Sequence, residues 1–174
     1  MIHVNTQENI QQETLKIYSK ISKKEADKRK QCLRWALAGM LAANDWGFRT
    51  CINAGSASWK LNNLPAPMAT HFSYEWQGLS RRTIDKLFLA RGVLPEIHCW
   101  VAFPDEGVIY DPTTKFIESL AQDHGIMHTH KIPRWTWVTA EDLPDGWLYR
   151  PENDACELAY ELAKEIMDES YATT

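Results

Sequence analysis

A histidine, an aspartate and four thiols set the first question of this sequence. The stretch EIHCWVAFPDEGVIYDPTTKF, residues 96–116, carries His98 and Asp111 on either side of Asp105-Glu106-Gly107, a turn signal. Strand alternation puts Ile97, Cys99, Val101 and Phe103 on one face and His98, Trp100 and Ala102 on the other. If 96–103 and 107–111 are the arms of a tight hairpin, His98 and Asp111 lie at matching depths on adjacent strands. Opposed or diagonal side chains there approach within about 5–8 Å. An imidazole held on one nitrogen by a carboxylate, which fixes its tautomer and orientation, is the base of a nucleophilic site. The alternative is a solvent-facing polar pair on an ordinary hairpin.

A base of this kind needs a nucleophile, and the candidates are Cys32, Cys51, Cys99 and Cys156. A free thiol near neutral pH is only a few per cent ionised. A nearby imidazole raises that fraction, and so does the positive end of a helix dipole, which acts only on the first turn. Cys32 stands where a charged segment gives way to CLRWALAGMLAAN, residues 32–44, so it alone has a first-turn position. No Gly or Pro precedes it, and EADKRKQCLRWALAG also reads as one unbroken helix, which would remove the dipole. Cys51 reads as small-core packing in a strand. Cys99 neighbours His98 on a strand and faces away from it. Cys156 belongs to the terminal helix and reads as structural.

The elements that must position these groups follow from patterning. Residues 7–29 read as a helix capped by Asn5 or Thr6, with Ile10, Leu15, Ile17, Tyr18 and Ile21 as its apolar stripe. Segment 32–44 is apolar nearly all round, which predicts a helix buried mid-domain, stopped by Gly47. Strands are expected in 48–59 and 71–76, a short helix over 80–90, and the hairpin after it. A helix over 113–123, a His-containing loop at 124–130, a packed irregular arm at 131–150 and an amphipathic helix over 152–170 complete the order. The class is α+β.

The 174 residues, 44% hydrophobic and 24% charged, suit a single domain. It divides into a helical segment 1–29, a catalytic-like core 30–117 and a C-terminal arm and helix 118–174. A net charge of −4 gives no footprint for nucleic acid. The basic run Lys23, Lys24, Lys28, Arg29 and Lys30 is interleaved with Glu25 and Asp27 and reads as a solvated helix face. No membrane-length apolar stretch is present, and MIHVNTQENI lacks a signal-peptide layout. The widely spaced cysteines suggest neither a zinc knuckle nor a disulfide framework. The expectation is a cytoplasmic protein with free thiols, needing no cofactor and bound to no membrane.

Cys32 with its helix LRWALAGMLAANDWGF, His98-Cys99-Trp100 and Asp111-Pro112-Thr113 together resemble the transglutaminase-like branch of the papain-type cysteine enzymes, over roughly residues 30–117. The resemblance implies a buried nucleophile helix packed on an antiparallel sheet. It implies Cys32 as nucleophile, His98 as general base and acid, and Asp111 as the residue orienting His98. The hairpin is shorter than that pattern, and 78–95 looks like an insertion. Gln31 is the oxyanion candidate beside the Cys32 backbone amide. The implied chemistry is acyl transfer through a thioester, resolved by water or an amine, on a peptide, protein or small acyl or amide substrate. Trp100 is expected against the imidazole.

Two rivals stand beside this reading. His124, His128 and His130 invite a metal site, but their spacing fits neither helix nor strand cleanly, and Gly125 argues for a loop. Eight tryptophans invite an aromatic-lined groove on a non-catalytic binding module. Trp35, Trp46 and Trp100 fall in segments expected to be buried. Trp100, Trp59, Trp76 and His71 are the substrate-cleft candidates, with Trp135, Trp137 and Trp147 as further lining; Glu75 shares a strand face with His71, where a plain sheet surface is expected.

Overall fold

The strand expected in 48–59 forms as the ten residues Cys51–Lys60, the central strand β1 of an antiparallel sheet. The computed structural model describes residues 1–78 and 97–172; the helix expected over 80–90 lies outside them. Within them, four helices surround a six-stranded sheet. The helices are α1 (Val4–Ile21), α2 (Cys32–Asp45), α3 (Ile117–Asp123) and α4 (Asn153–Ala172). The other strands are β2 (His71–Tyr74), β3 (His98–Phe103), β4 (Val108–Asp111), β5 (Thr136–Thr139) and β6 (Leu148–Pro151).

The strand order is β2-β1-β3-β4-β5, and β1 also pairs with β6. β1 hands its residues to successive partners: 51–55 to β3, 55–58 to β6 and 57–60 to β2. The handover falls at Gly55, where a Cβ would stand 2.3 Å from the carbonyl oxygen of Arg150. Only glycine lets the two backbones approach that closely. The segment 131–150, expected to be irregular, thus supplies two strands of the sheet. Its β5 and β6 are four residues each and lack a long alternating pattern, so pairing partners rather than local propensity define them.

Alternation on β3 divides the core as the sequence predicts. Ile97, Cys99, Val101 and Phe103 pack with α1, α2 and α4, while Trp100 joins Trp59, Phe72, Tyr149 and α3 in a second cluster. Ten of the fourteen residues of α2 are buried, as an all-round apolar helix requires. Gly47, at φ 83, follows its last turn.

The first helix differs from expectation at both ends. His3 occupies the N-cap position in place of Asn5 or Thr6, and the helix stops at Ile21 rather than running to 29. Its buried stripe is Ile10, Thr14, Tyr18 and Ile21, with Leu15 exposed. Arg34 Nη1 donates to Ile21 O and so caps the last turn. The basic run is therefore not a helix face. It forms a loop ending in the 3-10 turn Lys28–Lys30, whose start Asp27 caps by accepting from Arg29 N.

Candidate active site

The break before Cys32 decides the state of that thiol. Gln31 makes the break from inside: its Oε1 accepts from Lys23 N, and its Nε2 donates to Lys23 O and Ala26 O. These three bonds fold the loop back on itself and stop α1 from running into α2. Cys32 becomes the first residue of α2, whose first internal bond is Trp35 N to Gln31 O. The amides of Cys32 and Leu33 precede that bond and point out of the helix end. The same three bonds correct the reading of Gln31 as an oxyanion donor, because its side-chain amide is fully committed to the loop. The backbone at the head of α2 is the donor set that remains.

His98 and Asp111 meet across the hairpin. The register Val101↔Tyr110 and Phe103↔Val108 sets Trp100 opposite Asp111, so His98 is the diagonal neighbour. His98 Nε2 lies 2.7 Å from Asp111 Oδ2, with the two residues 1% and 0% exposed. A buried pair excludes the solvent-facing alternative. Asp111 is saturated with donors: Thr113 N at 2.8 Å and Thr113 Oγ1 at 2.6 Å reach Oδ1, and Tyr149 OH at 2.9 Å shares Oδ2 with His98. Burial works to raise the Asp111 pKa, but the charge and hydrogen bond of His98, with the Thr113 bonds, hold it below the carboxylate range.

Among the described residues His98 Nδ1 is buried and has no hydrogen-bond partner of normal geometry, so it is the nitrogen left for the thiol. Burial alone would lower the His98 pKa; the charge and hydrogen bond of Asp111, then the neighbouring Cys32, outweigh it and raise it to about 9. Cys32 meets the chain at Ile97, the residue just before β3. In the thiol form its Sγ donates to Ile97 O at 3.6 Å. Its pKa is lowered, most by the hydrogen bond from the Cys99 thiol, against burial, and further by His98 and the Cys99 amide. The arrangement favours a thiolate facing an imidazolium.

Aromatic rings box the imidazole. Trp59 stands edge-on at 4.9 Å, Tyr74 is stacked at 5.2 Å, and Trp100 lies at 6.1 Å nearly parallel. Trp59 and Trp100 are therefore not groove-lining residues: they are 0% and 1% exposed, and Trp59 Nε1 donates to Tyr149 OH. Trp76, half-buried, donates from Nε1 to the Asp154 carboxylate at the head of α4. His71 and Glu75 sit on the exposed surface of β2 and just beyond it. Trp46, expected to be buried, is 49% exposed, and Cys51 is exposed rather than core. Cys156 accepts from Ala54 N and donates to Ala54 O.

Three contributors were not read from the sequence. Tyr149 lies in the supposed irregular arm, Tyr74 reaches the site only through β2–β1 pairing, and Cys99, which faces away from His98, bears on the Cys32 pKa. Thr113, in contrast, stands in the Asp-Pro-Thr motif. Of the three loop histidines, His124 Nδ1 bonds Leu120 O and His128 lies 3.9 Å from Glu118. Among the described residues no group of three His, Cys, Asp or Glu is placed to hold a metal ion, and no helix is long and apolar enough to cross a membrane. No protein-family model matches this chain, and no curated protein or solved structure matches it.

Proposed function

We propose that this protein is a thiol-dependent acyl-transfer enzyme with Cys32 as nucleophile, His98 as general acid and base and Asp111 as the residue that orients His98. The observation that carries the proposal is the buried 2.7 Å His98–Asp111 contact, with the unbonded His98 nitrogen left beside a first-turn thiol. Cys32 thiolate attacks an amide or ester carbonyl, the head of α2 stabilises the oxyanion, and His98 protonates the leaving group. Water or an amine then resolves the thioester. The order of a cysteine-headed helix, then antiparallel strands carrying His and Asp, supports a papain-like core of transglutaminase type.

A second reading, a non-catalytic module on the same scaffold, draws on the enclosure of the site, where Cys32 is only 6% exposed. One experiment separates the two. Native protein and the His98→Ala variant are alkylated with iodoacetamide at about pH 6, where an ordinary thiol reacts slowly, and labelled cysteines are mapped by peptide mass spectrometry. Fast labelling of Cys32 that disappears in the variant is the expected result. A parallel incubation with p-nitrophenyl acetate should leave an acetyl group on Cys32. Slow labelling that ignores His98, with no acetylation, would establish the module instead.

A further inference from the structure

Lys115 is a half-buried cation to which acyl transfer gives no task. It sits in the 3-10 turn Thr114–Phe116, which follows Asp111 and Thr113. Its Nζ lies 3.8 Å from the ring centroid of Trp35 and 3.8 Å from that of Trp135, with Phe116 at 5.2 Å. An ammonium so close to a ring face is drawn to its negative quadrupole, and indole attracts it best. The two tryptophans belong to different elements. Trp35 lies one helical turn beyond Cys32 on α2, and its amide makes the first internal bond of that helix. Tyr18 stacks on Trp35 at 3.5 Å, and Trp35 Nε1 donates to Lys28 O at 3.0 Å. Trp135 stands immediately before β5, whose Thr136 pairs with Asp111 and donates to Thr114 Oγ1 at 3.2 Å.

Cys32, His98 and Asp111 come from α2, β3 and β4, so the helix must be set against the strands. His98 and Asp111 are locked together by a hydrogen bond. The thiol meets the strand side through Ile97 O at 3.6 Å, and a thiol is a weak donor. Apolar packing holds α2 on the sheet but is non-directional, so the slide and roll of the helix fall to contacts that have direction. We propose that Lys115 is a positioning residue: its ammonium, clasped between Trp35 and Trp135, fixes the head of α2 against the Asp111 turn and so presents the Cys32 thiol to His98. The role rests on the thiol–imidazole pair proposed above. Burial, then the charges of Arg134 and Lys28, lower the Lys115 pKa to about 7 against the pull of Asp111. The ring faces act the other way by stabilising the cation, so the clasp is charged at pH 6, where Cys32 is assayed.

The test follows iodoacetamide labelling of Cys32 in the full-length protein from about pH 4 to 9, with cysteines mapped by peptide mass spectrometry. Lys115→Met keeps the reach of the side chain and removes its charge. Its midpoint of labelling rate against pH should rise by about one unit or more, and labelling near pH 6 should slow about twofold or more. Lys115→Arg should restore both, because a guanidinium also stacks on indole faces. A Lys115→Met protein that matches wild type in rate and midpoint overturns the proposal. So does a Lys115→Arg protein as impaired as Lys115→Met, since packing rather than charge would then be at work. Should Lys115→Met fail to fold, Trp135→Leu decides in its place by removing one ring of the clasp from outside α2, and an unshifted midpoint there overturns the proposal. Fast, His98-dependent labelling that ignores these variants removes the clasp and keeps the thiol–imidazole pair. Slow wild-type labelling that ignores His98→Ala removes the pair and the positioning role with it.

Discussion

Tyr149 and His98 donate to the same oxygen of Asp111, at 2.9 and 2.7 Å, although they arrive from strands at different places in the sheet. Tyr149 OH in turn accepts from Trp59 Nε1 at 3.1 Å. A chain of donors thus runs from Trp59 through Tyr149 and Asp111 to His98, and a buried carboxylate with all its acceptors engaged can remain ionised.

Tyr149→Phe should break that chain at its centre. It strips one bond from a buried charge and leaves Trp59 Nε1 without an acceptor. The expected loss of stability is about 2–4 kcal/mol, combining the two deficits. Urea unfolding measures the first effect, and a slower Cys32 alkylation at unchanged fold measures the loosened His98. Unchanged values in both would show that Tyr149 is packing alone.

The pH dependence of stability separates the thiol from the imidazole. His98 is raised from 6.5 to about 9, so its contribution is complete below 6.5 and is lost as pH rises through about 9. Cys32 is lowered from 9.0, so its contribution is complete above 9.0 and is lost as pH falls through its folded value. Between 6.5 and about 9 the two slopes oppose each other, and wild-type stability should be nearly flat. Cys32→Ser removes one slope and exposes the other. Its stability should fall across that window by up to about 1.4 kcal/mol per pH unit, one proton's worth. Urea midpoints that fall equally in wild type would refute the ion pair.

Gly55→Ala should damage the site from a distance. Its Cβ would meet Arg150 O at 2.3 Å and Glu152 N at 2.9 Å, both backbone atoms that cannot swing aside. β6 must then separate from β1 and carry Tyr149 away from Asp111. A destabilisation of about 2 kcal/mol or more is expected, in the range of overpacked sites. Thermal unfolding gives the cost, and reduced Cys32 labelling would tie it to Tyr149.

Gln31→Ala removes three hydrogen bonds from the loop before Cys32. Lys23 N–H and Ala26 O, both only part-buried, lose that partner, while Lys23 O keeps its bond from Ala26 N, so the cost is about 1–2 kcal/mol. The charged segment is then released toward the unbroken helix its composition favours, which would carry Cys32 out of the first turn. Increased helical circular dichroism with slower Cys32 alkylation is the expected pair of observations. Fast alkylation retained in the variant would show that the imidazole, not the helix end, activates the thiol.

Short-range patterning determined much of this molecule. Alternation in HCWVAF and the Asp-Glu-Gly turn fix which residues of the hairpin share a face, and hence that His98 and Asp111 can meet. The all-round apolar composition of 32–44 makes α2 a buried helix. Tertiary structure decided the rest, because it depends on groups distant in sequence. No local signal ends α1 at Ile21; the cap from Arg34 and the Gln31 side chain do so, overriding helix propensity in 22–30. β5 and β6 exist because β4 and β1 offer them open edges to pair with, and pairing on β1 is how Tyr149 reaches Asp111. The contact between Cys32 Sγ and Ile97 O arises only when the head of α2 docks beside the start of β3. A strand's period of two tells which face a side chain takes, but not what the opposing helix brings against it.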